Sequence, residues 1–483
     1  MFRGRIRTRK RHAVKKRTII ACVVVAAFVV AAATCLWFEG PGTGAGDRTG
    51  IDLLNDGGCK GCNVLLITFE TLRADRLKCQ GYAADPAPSL CAFGETALLF
   101  ERAYTPAPVT APALQAILTG SLPSNEDVFE LIAHNSTAST LAGALRKKGY
   151  ATAAITDHKG LGDLEHMRPK SATIVRDFAE VRNLGQGRSG KTSAKTAAEI
   201  ARWLGDHGGD RFFLWTHLFD PHFNWVPADE TARAFGFRPE SCGRIENGID
   251  IEEIRRIEKT LTAAEVRCLE ALYLAEVLET DRLVGNILRR LDELELAERT
   301  LVIVAGDHGE EFAERGNIGH ELTLFDELLR VPFMVRNPAS GAVGRRASPI
   351  STRAIHDYVL AAVDGGNPKA LPEVASRTFH YYGKDQANPG EIRSAVNDFC
   401  LILGDLKIVS TPLEGRYALY DLAADPGERE NLWGGRADGA ALAAQLDEWI
   451  RAARDVSDQA ATADAVRSYL DTLERLKALG YTQ

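Results

Sequence analysis

The sequence predicts an α/β protein built on a mainly parallel sheet with helices on both faces, followed by a smaller α+β portion. Three observations carry that prediction. Short uninterrupted apolar runs recur along the chain, amphipathic helical patterns separate them, and the alternation lapses after about residue 345. Uninterrupted apolar runs of strand length are what a strand buried on both faces requires. A chain of 483 residues can bury such a core without disulfide staples.

The N-terminal region stands apart. The first 18 residues hold nine Lys/Arg and no acid, and Ile19–Phe38, "IIACVVVAAFVVAAATCLWF", runs twenty residues without a charge. That length crosses a bilayer as a helix. The basic flank assigns residues 1–18 to the cytoplasmic side as a tail, so residues beyond 38 are expected outside the cytoplasm, periplasmic or extracellular. An uncleaved single-pass anchor is the favoured reading. "AAA" at Ala31–Ala33 leaves cleavage open, and a lipoprotein at Cys35 lacks the usual large apolar residue before the cysteine. The whole chain carries −7 and the basic flank contributes +9, so the remainder carries −16. An acidic ectodomain excludes nucleic acid as the expected partner and requires a local positive site, such as a metal, for any anionic substrate.

Residues 39–61, rich in Gly and Asp, read as a linker. Strands are predicted at Asn63–Phe69, Tyr150–Thr156, Arg211–His217, Thr300–Gly306 and Val331–Arg336. Helical patterns cover Ser136–Gly149, with a Ser/Thr start and a Gly stop, then Lys191–His207 and the long stretch Ala264–Leu296. "PVTAPALQAILTG", Pro108–Gly120, reads as a loop turning into a short helix. Pro112 suits its first turn and Gly120 its stop, so Thr110 sits near the N-terminal end, where anions are attracted. The expected organisation is a catalytic domain over 62–345, a C-terminal α+β subdomain over 346–435 and a helical tail over 436–483. Seven cysteines lie outside the apolar run. Cys59, Cys62, Cys79 and Cys91 could form one or two bridges; no pairing follows from spacing.

Ligands in parallel sheets bind beyond the C-terminal ends of the strands, and polar residues cluster there. Asn63–Phe69 runs into Glu70, and Thr300–Gly306 runs into Asp307 and His308. Adjacent Asp and His after a buried strand are costly unless a cation is held there. Glu70, Asp307 and His308 form a mixed oxygen and nitrogen set for one divalent metal, with Thr110 as a fourth ligand through its alkoxide. Taken singly, Glu70 and Asp307 also read as helix caps and His308 as a packed side chain. A third strand end supplies His217, Asp220 and His222, and His320 lies in "NIGHELTLFDE". These histidines read as substrate contacts or as proton donors to a leaving group. Lys159 in "DHKGLG" is a weaker candidate.

On these residues the chain resembles sulfatases and sulfatase-like hydrolases of the alkaline phosphatase superfamily. "NVLLITFETLRADRLKCQGY", "LTGSLPS", "FFLWTHLFDPHFNW", "DHGEEFAERGNIGHELTLFDELLRVPFMVR", "LYDLAADPGERENL" and "LKALGY" are similar to family segments in the right order. The resemblance implies an alkaline-phosphatase-like central sheet, a smaller C-terminal domain, and hydrolysis or transfer at sulfate or phosphate esters. Sulfatases carry Cys (or Ser)-x-Pro-x-Arg, whose first residue becomes formylglycine. This chain reads Thr110-Ala111-Pro112-Ala113-Leu114 in that frame. Thr110 has no route to formylglycine, and Leu114 supplies no charge. The phosphoethanolamine and lipoteichoic-acid transferases of the same superfamily use a Thr nucleophile with Glu, Thr, Asp and His as ligands, which here are Glu70, Thr110, Asp307 and His308.

The resulting expectation is a membrane-anchored, metal-dependent hydrolase or transferase of phosphate or sulfate esters with Thr110 as nucleophile, His217 or His222 as the acid and His320 as a further catalytic residue. The substrate expected is an ester of a lipid head group or a glycan. The ligand set favours zinc or manganese, whereas calcium is usual among sulfatases. Two alternatives stand beside it: an inactive pseudoenzyme that binds a glycan or lipid head group, and a sulfuric ester hydrolase working without formylglycine.

Overall fold

In the computed structural model the described residues are 54, 57–122, 139–158, 174–175, 177–185, 193–320, 323–378, 398–412 and 415–457. The predicted anchor, Lys159 and residues 458–483 of the tail lie outside them. Among the described residues no helix is long and apolar enough to cross a membrane.

Among the described residues, eleven strands precede the C-terminal sheet: β1 (Asn63–Phe69), β2 (Leu98–Tyr104), β3 (Ala151–Thr156), β4 (Glu180–Asn183), β5 (Phe212–Leu218), β6 (Thr300–Gly306), β7 (Glu311–Phe312), β8 (Ile318–Gly319), β9 (Arg330–Arg336), β10 (Gly344–Arg346) and β11 (Ile350–Ser351). The main sheet runs β10-β2-β9-β6-β1-β5-β3-β4, with β11 also on β2, while β7 and β8 form a separate hairpin. β9 is antiparallel to its neighbours β2 and β6, and the other pairings are parallel. The mainly parallel sheet expected from the apolar runs is therefore present.

Alternation along β1 explains the layering, because successive side chains of a strand point to opposite faces. Leu65, Ile67 and Phe69 join a cluster with Trp203 and Leu204 of helix Ser193–His207 and with Leu272 and Val284 of helix Ala263–Glu293. Val64 and Leu66 join the opposite cluster, with Leu114 and Ile117 of helix Thr110–Thr119 and Ile355 and Val359 of helix Ala354–Val363. Thr262 and Glu265 cap the 31-residue helix reciprocally. Gly120 ends helix Thr110–Thr119 with a φ of 69°, the left-handed stop that its position predicts.

Two contacts cross the expected domain limits. Helix Ala354–Val363 packs its apolar face into the main core, so the large layer structure runs past residue 345. Residues 57–61 are not a free linker: Cys59 and Gly61 donate backbone hydrogen bonds to Ala362 (2.7 Å) and Val363 (2.9 Å), closing the end of that helix. Disulfides join Cys59–Cys62, Cys79–Cys91 and Cys242–Cys268, and Cys400 is a buried free thiol.

The second sheet is antiparallel, in the order β12 (Ala375–Arg377), β13 (Phe399–Leu403), β14 (Leu406–Thr411) and β15 (Arg416–Asp421). Leu442, Leu446 and Ile450 of helix Gly439–Ser457 cover one face. The sheet docks on the main unit through Tyr104, Leu329, Cys400 and Ile402. Its first strand also reaches the approach to Thr110, where Ser376 Oγ donates to Thr105 O (2.6 Å) and the Arg377 N–H donates to Pro106 O (3.0 Å). A fully buried Lys407 ties the junction together, with Nζ 2.7 Å from Glu428 and 3.0 Å from Asp326. Removing one partner of a buried ion group leaves uncompensated charge. Lys407→Met is expected to cost roughly 3–5 kcal/mol in urea unfolding, and a loss within experimental error would show that the group contributes nothing.

Candidate active site

Strand register builds the site. Phe69 of β1 pairs with Leu218 of β5 and with Gly306 of β6, so three strands end level. The ladder continues one residue further: the Glu70 N–H donates to Leu218 O and the Asp307 N–H to Phe69 O, both at 3.0 Å. Glu70 and Asp307 are thereby set side by side, fully buried. Thr71 follows with a φ of 50°, a region that costs a β-branched residue about 1–3 kcal/mol. Its N–H donates to Asp307 Oδ1 (3.0 Å) and its carbonyl accepts from Tyr273 (3.0 Å). Arg73 then forks onto both oxygens of Asp75 at 2.9 Å. Its Nη1 donates to Glu310 O and Glu314 Oε1 at 2.7 Å, which binds the loop after β1 to the loop after β6.

Thr110 is the first residue of its helix and is half-buried, whereas Ala111–Leu118 behind it are buried. Its hydroxyl donates to Glu70 Oε1 at 2.5 Å and lies 3.3 Å from His308 Nε2. His308 Nε2 is 3.5 Å from Glu70 Oε1 and 3.6 Å from Asp307 Oδ2. The four residues expected as ligands therefore converge. Leu114 is wholly within the apolar core, so the frame position that holds arginine in sulfatases makes only packing contacts here.

Two histidines have their tautomers set from behind. His308 Nδ1 lies 2.9 Å from Gly309 O, which only accepts, so Nδ1 carries a proton. His217 Nδ1 lies 2.9 Å from Thr68 Oγ1, whose own proton goes to Thr216 O and which also accepts from Trp215 Nε1. His217 Nδ1 is therefore a donor too. Both Nε2 atoms consequently face the carboxylates: His217 Nε2 is 2.6 Å from Glu70 Oε2 and 4.0 Å from Asp307 Oδ2. Burial pushes the Glu70 carboxyl up, but hydrogen bonds from His217 and His308 outweigh it and hold the group well below its usual range. Burial and the Glu70 charge raise Asp307. Burial opposes a charge on His308, yet Asp307 and Glu70 lift it to about 9.

This donor set fits a divalent cation. Asp307 Oδ2 is buried without a hydrogen-bond partner, and both Nε2 atoms aim at the carboxylates from rings oriented by a second layer of acceptors, the arrangement of metal-ligating histidines. Glu70, His217 and Asp307 place one ligand atom each within 4.8 Å of one another. His217 thus joins the ligand side of the site, whereas its sequence position suggests a role toward substrate.

His222 and His320 lie along the rim, with ring centroids 5.2 Å apart. The His320 ring centroid lies 4.5 Å from that of His308, tilted by 41°, and its Nδ1 is 3.1 Å from Glu310 Oε1. Burial lowers His222 to about 4. Asp220 is half-buried, and its charge acts on Asp157. Sequence reasoning missed His158, whose Nε2 is 3.9 Å from Glu70 Oε2. The strand-end rule that selected Glu70 would have found it two residues after the end of β3. Glu310, Arg73 and Thr68 were also missed, because their roles depend on partners distant in sequence.

Fold and site together define a class: an α/β protein with a buried Glu/His/Asp group that could hold a metal ion, and a threonine hydroxyl beside it, at the C-terminal edge of its sheet. The sulfatase family model matches residues 62–364, and the chain belongs to the sulfatase family as a sulfatase-family ester hydrolase. It is similar to a choline-sulfatase of Rhizobium meliloti, 25% identical in a 406-residue alignment that covers 72% of this chain and 77% of the relative. A Delta 4,5-hexuronate-2-O-sulfatase of Bacteroides thetaiotaomicron is 20% identical in a 399-residue alignment that covers 74% of this chain and 82% of that protein. Among solved structures, the phosphonate monoester hydrolase of Agrobacterium radiobacter superposes with a TM-score of 0.64 at 19% identity, covering 82% of this chain and 95% of its own. That likeness establishes the fold.

Asp157, after β3, accepts from Ser193 Oγ (2.6 Å) and the Phe219 N–H (2.9 Å), anchoring the loop that carries His222. Burial first, then the Asp220 charge, pushes its carboxyl up to about 7 from 3.8. The folded state therefore holds a proton that the unfolded chain releases, and this stabilisation is lost as pH rises from about 4 through about 7. Asp157→Asn should gain on the wild type by roughly 2–4 kcal/mol between about pH 5 and about pH 8 in urea unfolding. A pH-independent difference would contradict it.

Proposed function

We propose that the protein is a membrane-anchored, metal-dependent enzyme that transfers a sulfuryl or phosphoryl group from an ester to Thr110 and then to water or an acceptor alcohol. One observation carries the reading: the Thr110 hydroxyl lies 2.5 Å from Glu70 Oε1 inside the group formed by Glu70, Asp307 and His308. Glu70, Thr110, Asp307 and His308 would hold the ion, with His217 beside them. The bound ion, zinc or manganese by its ligand types and calcium by family habit, would act as a Lewis acid on the ester.

Thr110 Oγ1 attacks sulfur or phosphorus, the bond to the leaving oxygen breaks, and the hydroxyl proton passes to Glu70 Oε1. His320, whose Nδ1 lies 3.1 Å from Glu310 Oε1, protonates the departing alcohol, with His222 beside it. A threonine ester cannot collapse to an aldehyde as a formylglycine hydrate does, so water or an acceptor alcohol must attack it. Leu114 adds no charge to this step. The names of the relatives support sulfate esters and that of the structural neighbour phosphonate monoesters as the substrates to try. Three disulfides among the described residues support an oxidising compartment beyond the anchor at 19–38. Lipid head groups and glycans remain the proposed carriers of the ester.

Thr110→Ala should lower turnover of 4-nitrophenyl sulfate, phosphate or phenylphosphonate by roughly 1000-fold or more, with Thr110→Ser retaining part of it. Wild-type rates in Thr110→Ala would overturn the nucleophile. Asp307→Asn, in turn, should lose the divalent ion that mass spectrometry of the purified wild type detects; equal metal content in both would remove Asp307 from the ligand set.

A further inference from the structure

We propose that Arg255 forms a subsite for a second anionic group on the alcohol portion of the substrate, beside the His222 and His320 rim. Arg255 lies in helix Ile251–Ile257, which is fastened at both ends. At its start, Asn224 Oδ1 accepts from the Ile251 N–H (2.9 Å) and Asn224 Nδ2 donates to Asp250 (3.1 Å). Beyond its end, Lys259 Nζ donates to Gly316 O (2.8 Å) and Asn317 Oδ1 (2.9 Å). The helix therefore bridges the loop bearing His222 to the β7–β8 hairpin, after which His320 follows directly.

Gly319 of that hairpin locates the guanidinium. A Cβ placed on Gly319 would lie 3.9 Å from Arg255 Nη2, 3.9 Å from Glu310 Oε1 and 3.9 Å from Phe223 Cε1. Arg255 thus faces the same small space as the Phe223 ring and the Glu310–His320 pair. It is half-buried, and among the described residues it makes no salt bridge. The Arg255 charge acts on Glu310, but the two form no ion pair: Glu310 Oε1 takes His320, and Oε2 has no hydrogen-bond partner. A planar guanidinium suits bidentate contact with a carboxylate or sulfate, and the adjoining Phe223 ring offers a flat apolar wall for the ring carrying it. The chain outside its basic flank is strongly acidic, so an anion is drawn here only by a fixed cation.

The assignment rests on the reading that His222 and His320 face the leaving alcohol, and its test separates the two. Calorimetry on Thr110→Ala would compare 4-nitrophenyl sulfate with 3-carboxy-4-nitrophenyl sulfate and 4-nitrocatechol disulfate, and turnover of the same three would be followed in the protein with Thr110 intact. Tighter binding of one or both doubly anionic ligands, by about tenfold, is expected, and the ligand preferred tells carboxylate from sulfate. Adding Arg255→Ala should erase the preference, and Arg255→Glu should reverse it. A merely structural role would weaken all three ligands equally and leave the ratio intact, which would overturn the subsite, as would equal affinities before mutation. Discrimination in binding without turnover in the Thr110-intact protein would sink the Thr110 mechanism while leaving Arg255 in place.

Discussion

Everything at the site depends on placing two carboxylates, Glu70 and Asp307, side by side without water. Parallel register does this: β1, β5 and β6 end level, and the next residue of β1 and of β6 remains in the ladder. Such a pair is unfavourable in isolation, since buried charge must be matched. His217 and His308 supply the match, with Nδ1 of each occupied by Thr68 or by Gly309 O, so that both Nε2 atoms meet the carboxylates. A cation in that position would replace shared protons, and the strained Thr71 backbone, held by Asp307 and Tyr273, keeps the loop from relaxing away.

The same geometry gives Thr110 its meaning. A threonine at a helix start is commonly only a local backbone contact. Here its hydroxyl points at Glu70, across a gap that joins the helix Thr110–Thr119 to the end of β1. The β12 strand braces the segment before it through Thr105 and Pro106, which links the C-terminal sheet to the position of the candidate nucleophile. Leu114, one turn further along the helix, is committed to the core. Arginine at that position would have to displace apolar packing, so the departure from the sulfatase frame is built into the fold and is not confined to the surface.

Much of this was legible in the sequence because it rests on periodicity. The strands at 63–69 and 300–306 and the long helix follow from apolar runs and spacing; Glu70, Asp307 and His308 follow from the rule that ligands gather at strand ends, and Thr110 from its place at a helix start. What periodicity does not encode is which distant side chains meet. The move of His217 toward the metal side depends on Thr68 and Trp215, and the bracing by Arg73 depends on Glu310 and Glu314. The third disulfide, Cys242–Cys268, joins two helical regions whose proximity no spacing rule announces. Helix Ala354–Val363 packs its apolar face into the main core, a contact that the change in alternation near residue 345 does not announce.

The central claim is that Thr110 carries the transferred group. Its most direct test is the mass of the Thr110-containing peptide after rapid acid quench during turnover of a phosphate or sulfate ester. The account predicts an adduct of about 80 Da on Thr110, the mass of one phosphoryl or sulfuryl group. An unmodified Thr110 during steady turnover, with the adduct on another residue, would contradict it.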